Sequence, residues 1–327
     1  MSTVQQAIAD RRTGVVARFF ASPMAGMTIA IAAMFVGFAF AAPNFFLPAN
    51  FLNILIASST MGLVAVGESY LIIAGQIDLS PGAVSAFSGM VIAVMLKNSI
   101  APMISVPAAL LVGAGIGYLN ATLVNRLKLQ PFIATLATSS LFRGLAFIIN
   151  DGKTEQIFNK GFLALGLERY LGLPISVWVL LIALAAFTIL LRYTTFGRSV
   201  YIIGGNPVAA RLAGINARRL VTKLYVMCAA LTSLGGVMLA SRMNAGQPTA
   251  SNGLEFDAIT ATVLGGVAFS GGSGSMPGTI LGIFILVGFN NGLLIMNVPS
   301  FWQYVARGGL LVVALSFDTI RQLIRRR

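Results

Sequence analysis

Residues 195–220 read TFGRSVYIIGGNPVAARLAGINARRL, a basic stretch set between long apolar runs. Its centre carries the punctuation of a very short helix. Asn206 is a good N-cap, because its side-chain oxygen accepts a free N–H of the first turn. Pro207 follows at the first helical position, where its missing donor costs nothing. Ala209, Ala210 and Leu212 favour helix, and Gly214 suits the left-handed residue that ends one. The pattern predicts about two turns, too few to stand alone in water, so the segment must dock on something. Two readings are open from these residues: an ordinary ordered loop, or a surface offered to a cytoplasmic partner.

The flanking runs set the fold class. The chain has 327 residues, is 57% hydrophobic and only 9% charged, with a mean hydropathy of +0.87. A soluble domain carries about 25% charged residues; this chain cannot cover itself with polar surface and reads as an all-α integral membrane protein. The runs are continuous, whereas barrel strands would alternate every second residue. Apolar windows predict about ten spans, near 24–42, 51–74, 82–96, 103–125, 131–150, 174–191, 224–240, 257–269, 279–296 and 301–317. Eight to eleven fit too, since the third and eighth are short for a full crossing.

The formal charge of +13 follows the membrane rather than nucleic acid. Placing both ends inside puts Arg11, Arg12, Arg18, Arg126, Lys128, Arg192, Arg198, Arg211, Arg218, Arg219, Lys223 and the C-terminal arginines on one side. Lys97, Lys153, Lys160, Arg169 and Arg242 fall on the other, so the bias is about three to one and both termini are expected in the cytoplasm. The layout expected is a cytoplasmic tail over 1–22, a single transmembrane domain over 23–318 with a cytoplasmic loop at 192–223, and a basic tail over 319–327. The first residues lack the order of a cleaved signal peptide.

Chemistry is sparse. Without histidine, and with Cys228 as the single cysteine, there is no disulfide framework, no Cys/His metal site and no catalytic dyad of the Ser/His or Cys/His kind. No catalytic and no metal-binding residues are therefore assigned. Asp151-Gly152-Lys153-Thr154 imitates the tail of a phosphate loop, but its required earlier glycine is Phe147. Glu68, Arg143 and Arg307 sit inside apolar runs, where ionisable groups face the protein interior or an aqueous path. Glu68 with Arg143 is the expected pair. At the break GQIDLSPG (75–82), either Asp78 or Ser80 caps the third span, or Asp78 orients a broken helix beside a pathway. A second break, SGGSGSMPG (270–278), has a similar Gly/Ser turn before Pro-Gly. Asn290, Asn291, Gln303 and Tyr304 suit a polyhydroxylated solute, or serve as glue between helices.

The stretches GQIDLSPG (75–82), LQPFIATLAT (129–138) with Arg143-Gly144, TTFGRSVYIIGGNPVAARLAGI (194–215), ASRMNAGQP (240–248), NGLEFDAITATVLGGVAFSGGSGSMPGT (252–279), NNGL (290–293) and QYVARG (303–308) carry a family resemblance. They resemble the permease subunit of bacterial ABC importers for ribose, arabinose, xylose and related sugars. The resemblance implies an inner-membrane homodimer or a pair with a paralogous permease. It also implies a cytoplasmic sugar-type ATPase, which holds ATP and Mg, and a periplasmic sugar-binding protein. No cofactor is expected on this chain and no nucleic acid among its partners. Gly204, Gly205, Asn206, Pro207, Ala209, Ala210, Arg211 and Gly214 then match the segment that couples to the ATPase. Glu68, Asp78, Arg143, Asn290, Asn291, Gln303 and Arg307 become candidates for the translocation path or for a structural polar network. NDGK (150–153) and ASRM (240–243) resemble the L-arabinose members, so a pentose such as L-arabinose or ribose is expected. The competing reading is an ion-coupled secondary carrier for a small polar solute, with Glu68 and Asp78 as coupling groups.

Overall fold

The computed structural model describes residues 23–42 and 44–325; the expected tail at 1–22 and the last two arginines lie outside them. Thirteen helices account for nearly all of the order among the described residues. They are α1 (Pro23–Ala41), α2 (Pro48–Ile73), α3 (Pro81–Lys97), α4 (Pro102–Asn125), α5 (Pro131–Ile148), α6 (Lys160–Leu167), α7 (Ile175–Tyr193), α8 (Thr195–Gly205), α9 (Pro207–Leu212), α10 (Ala217–Met243), α11 (Leu254–Leu264), α12 (Met276–Ile295) and α13 (Ser300–Arg325). Six of these open on proline, whose fixed φ suits the first turn. The protein is an all-α membrane protein: α2, α4, α5, α7, α10 and α12 are each long and apolar enough to cross a bilayer.

Helix α10 is the hub, and small residues let its neighbours come close, as is usual where lipid supplies no hydrophobic drive between helices. Gly113 and Gly117 of α4 lie against Ala229, Ser233 and the Tyr225 carbonyl; Gly67 of α2 lies on the Cys228 backbone; Gly236 of α10 faces the Ser85 backbone of α3. Gly113 and Gly117, one turn apart, thus make a contact face of α4. Around Phe38, Phe45 and Leu286, a second core joins α1, α2 and α12.

At one end of the bundle, β1 (Glu155–Gln156) pairs antiparallel with β4 (Ala245–Gly246), and β2 (Arg169–Tyr170) with β3 (Leu173–Pro174). Helix α6 is fastened there to the tip of α10, because Ser241 Oγ donates to the Phe162 carbonyl and accepts from Gly166 N–H, both at 2.8 Å. Lys97 and Glu155 form an ion pair at 2.7 Å at the same end. We call this the strand end. The opposite, loop end carries α8 and α9.

Several sequence expectations change. The 195–220 stretch holds two helices before α10 rather than one, since Thr194 caps α8 by accepting from Gly197 N–H. The span expected at 224–240 starts at Ala217, because Asn216 caps α10 through Arg219 N–H and the helix carries its basic residues with it. The span expected at 257–269 is Leu254–Leu264, ended by Gly265 and by Gly266 at φ +79°.

Candidate functional site

At the loop end, Asn206 Oδ1 accepts from Val208 and Ala209 N–H at 3.0 Å each, and Pro207 opens α9. The helix closes as a Schellman motif: Gly214 at φ +73° donates to the Arg211 carbonyl, and Ile215 N–H to the Ala210 carbonyl. Ala210 is buried, whereas Val208 and Leu212 project outward. A six-residue helix with Val208 and Leu212 in the open has a face without a partner among the described residues.

The C-terminus of α8 reaches both chain breaks. Gly272 N–H, in the second break, donates 2.8 Å to the Ile73 carbonyl at the end of α2. Gly204 sits on that same carbonyl so closely that a Cβ would overlap it, and Gly205 packs on the Gly272 Cα. Gly75, Gly271 and Gly272 all have positive φ, which glycine adopts without steric cost. Tyr201 Oη donates to the Gly274 carbonyl at 2.9 Å, and burial pushes the phenol's pKa up, so it stays a donor. The two breaks that look alike in sequence therefore meet around Gly204.

In the interior, Glu68 and Asp78 come together with Cys228, their ligand atoms all within 4.8 Å of one another. All three are buried. Asp78 Oδ1 accepts from Ser80 N–H at 2.7 Å and Ser80 Oγ at 2.6 Å, while Asn120 bonds Ser80 Oγ at 2.9 Å. Neither Asp78 nor Ser80 caps α3 with its side chain; the carboxylate folds back on the break instead. The expected Glu68–Arg143 pair does not form. Arg143 Nη1 donates to the Pro248 and Ala250 carbonyls at 2.8 Å, tying down the loop before α11, and its Nη2 faces Glu255 Oε2 across Gly82. The cause is depth: the α2 carboxylate lies under the break near the hub, whereas Arg143, late in α5, lies toward the strand end.

At the strand end a cavity of about 510 Å³ opens between α2, α11, α12 and α13. Asn50, Asn53, Asn290, Asn291, Gln303, Arg242, Arg307 and Asp257 line it with polar groups. Asn50 and Asn291 exchange two amide hydrogen bonds, at 2.8 and 2.9 Å. Arg307 Nε donates to Asn290 Oδ1 at 3.1 Å and Nη1 pairs with Asp257 Oδ2 at 3.3 Å. Gln303 Nε2 donates to the Val298 carbonyl. Asn290, Asn291, Gln303 and Arg307, named from sequence, thus share one cavity; Glu68, Asp78 and Arg143 lie elsewhere. Sequence reading missed Asn50, Asn53, Arg242 and Asp257. Asp257 had a usable signal, an acid inside the apolar run after LEF, and the asparagines had none.

A recess of carboxamides and paired charges let into an apolar helical bundle is the architecture of a solute permease. A family model described as branched-chain amino acid transport system / permease component matches residues 50–315, and the chain belongs to that family. Among its relatives, the L-arabinose transport system permease protein AraH of Escherichia coli (strain K12) is 39% identical over 301 residues, 92% of each chain. The L-arabinose ABC transporter permease protein AraH of Azospirillum brasilense is 35% identical over 92% of this chain and 89% of its own. The ribose import permease protein RbsC of Bacillus subtilis (strain 168) is 39% identical over 84% of this chain and 86% of its own. No solved structure matches the chain.

Proposed function

We propose that this chain is the membrane-spanning subunit of an ABC importer that carries a monosaccharide, a pentose such as L-arabinose or ribose, from periplasm to cytoplasm. The observation that carries the sugar class is the strand-end cavity, because amides and a guanidinium–carboxylate pair offer the mixed donors and acceptors that a polyol needs. The arabinose and ribose permeases among the relatives support the same class. Energy comes from a separate sugar-type ATPase that holds ATP and Mg, and solute from a periplasmic binding protein. The permease works as a homodimer or with a paralogue in the inner membrane.

Ten helices, α1 to α5, α7 and α10 to α13, form the transmembrane domain over 23–318, and both termini lie in the cytoplasm. The loop end is then the inner face, and 204–214 is the coupling segment, with Val208, Arg211 and Leu212 turned to the ATPase. ATP-driven movement of α9 passes through α8 to the two breaks, and the bundle alternates between outward-open and inward-open states.

The buried meeting of Glu68 and Asp78 favours one alternative, an ion-coupled carrier. Reconstitution separates the two. The purified chain in liposomes, with its ATPase inside and its binding protein outside, is expected to accumulate labelled L-arabinose or D-ribose only with ATP. ATP-independent uptake by the chain alone, abolished by an uncoupler, would establish the carrier instead.

A further inference from the structure

A second cavity, of about 180 Å³, lies beside the first and is lined by Asn252, Phe256, Thr260, Tyr304 and Leu311 among others. The two cavities share two lining residues, Asp257 and Arg307. Along α13 the second cavity extends from Tyr304, nearer the strand end than Arg307, to Leu311, about 6 Å beyond Arg307 at 1.5 Å per residue, so it flanks the first cavity on the far side of the ion pair. The ion pair is therefore a partition between two neighbouring chambers, one polar and one whose wall carries an aromatic face.

The partition is lightly made. At 3.3 Å the Arg307–Asp257 contact is longer than the 2.7–2.9 Å typical of a charge-assisted hydrogen bond. Arg307 is held on both sides, by Asn290 in the polar chamber and over the Tyr304 ring at 5.9 Å in the second one. Tyr304 itself is exposed. A guanidinium facing a carboxylate suits a vicinal diol, since one group donates and the other accepts. An exposed ring suits the C–H face of a pyranose or furanose.

On the reading that the solute is a sugar, we infer that the smaller cavity is a second sugar station, and that the Asp257–Arg307 pair is the gate between the two. The gate opens when hydroxyls of the sugar replace the ion pair with hydrogen bonds of their own. Tyr304 then holds the ring by its apolar face, while Asn252 and Thr260 meet its edge.

The test uses the full chain with its ATPase and binding protein in liposomes, and labelled L-arabinose and D-ribose as probes. Because the binding protein sets capture, variants at the second station change maximal uptake and leave the half-saturating sugar concentration alone. Tyr304→Ala is expected to lower maximal uptake about tenfold, the scale of a lost aromatic contact. Tyr304→Phe keeps the ring face and restores uptake, while Tyr304→Leu, apolar without a ring, does not. Asp257→Asn lowers maximal uptake, and the double variant Asp257→Asn with Arg307→Gln, a neutral pair able to bond hydroxyls, regains part of it. Wild-type uptake in Tyr304→Ala, or equal rescue by Leu and Phe, overturns the second station. A double variant no better than Asp257→Asn overturns the gate. Wild-type protein that moves neither sugar overturns the sugar reading as well, which separates that failure from these.

Discussion

At the scale of single residues, Glu68 shows how a buried charge is settled by its neighbours rather than by the nearest formal opposite in the sequence. Its side chain meets Asp78 and the Cys228 thiol, 3.9 Å from Oε1, and among the described residues no arginine. Glu68→Gln keeps volume and hydrogen-bonding capacity, so we expect thermal stability in detergent to change by less than about 1 kcal/mol. Asp78→Ala strips Ser80 of both its hydrogen bonds to the carboxylate and is expected to cost about 2–4 kcal/mol. The glycines divide just as sharply. A methyl at Gly204 would strike the Ile73 backbone, whereas one at Gly115 in α4 meets nothing within 4 Å. Gly204→Ala should therefore abolish transport, while Gly115→Ala should leave transport intact and gain up to about 1 kcal/mol from helix propensity. Intrinsic residue chemistry made Asn206, Pro207 and Gly214 readable, because each acts on its own local backbone. Glu68 and Arg143 were misread because a one-dimensional string shows that two charges are buried and not at what depth.

At the scale of elements, spans were legible where a run of apolar residues began at a proline and gave way to a polar or glycine-bearing turn within about two residues of its end, as in α2, α4 and α5. Helix α8 was not, because its Gly204-Gly205 end reads as a turn until α2 and the second break are packed against it. Likewise, the start of α10 was hidden under arginines that belong to a helix longer than its apolar part. Helix α9 depends on its caps. Asn206→Ala removes the acceptor for two N–H groups and should destabilise the segment by about 1 kcal/mol. Gly214→Val forces a β-branched residue to positive φ and should leave the protein inserted while separating ATP hydrolysis from uptake. Sugar uptake measured against phosphate release gives the result, and an unchanged ratio in both variants would remove 204–214 from the coupling role.

At the scale of the whole molecule, the bundle has two unlike ends joined by a tightly packed hub. The strand end is tied by short strand pairs, the Ser241 bonds and the Lys97–Glu155 bridge, and it holds the polar cavity. The loop end carries α8 and α9. This polarity predicts a labelling result. A cysteine at the exposed Val208 position should react with an impermeant maleimide only in inside-out vesicles, and one at Phe158 only in right-side-out vesicles. Cys228 is buried and should stay silent in both. Reversed labelling would invert the orientation inferred from the positive residues.

The contact of Gly204, Ile73 and Gly272 is made of main chain on main chain. Side chains that touch can slide through a series of rotamers, and such an interface yields by degrees. Bare backbones have no rotamers, so the junction is either seated or parted. Movement of the loop end should then come in jumps: spin labels across the two breaks would report two separate distances whose weights shift with nucleotide, and no continuous drift between them.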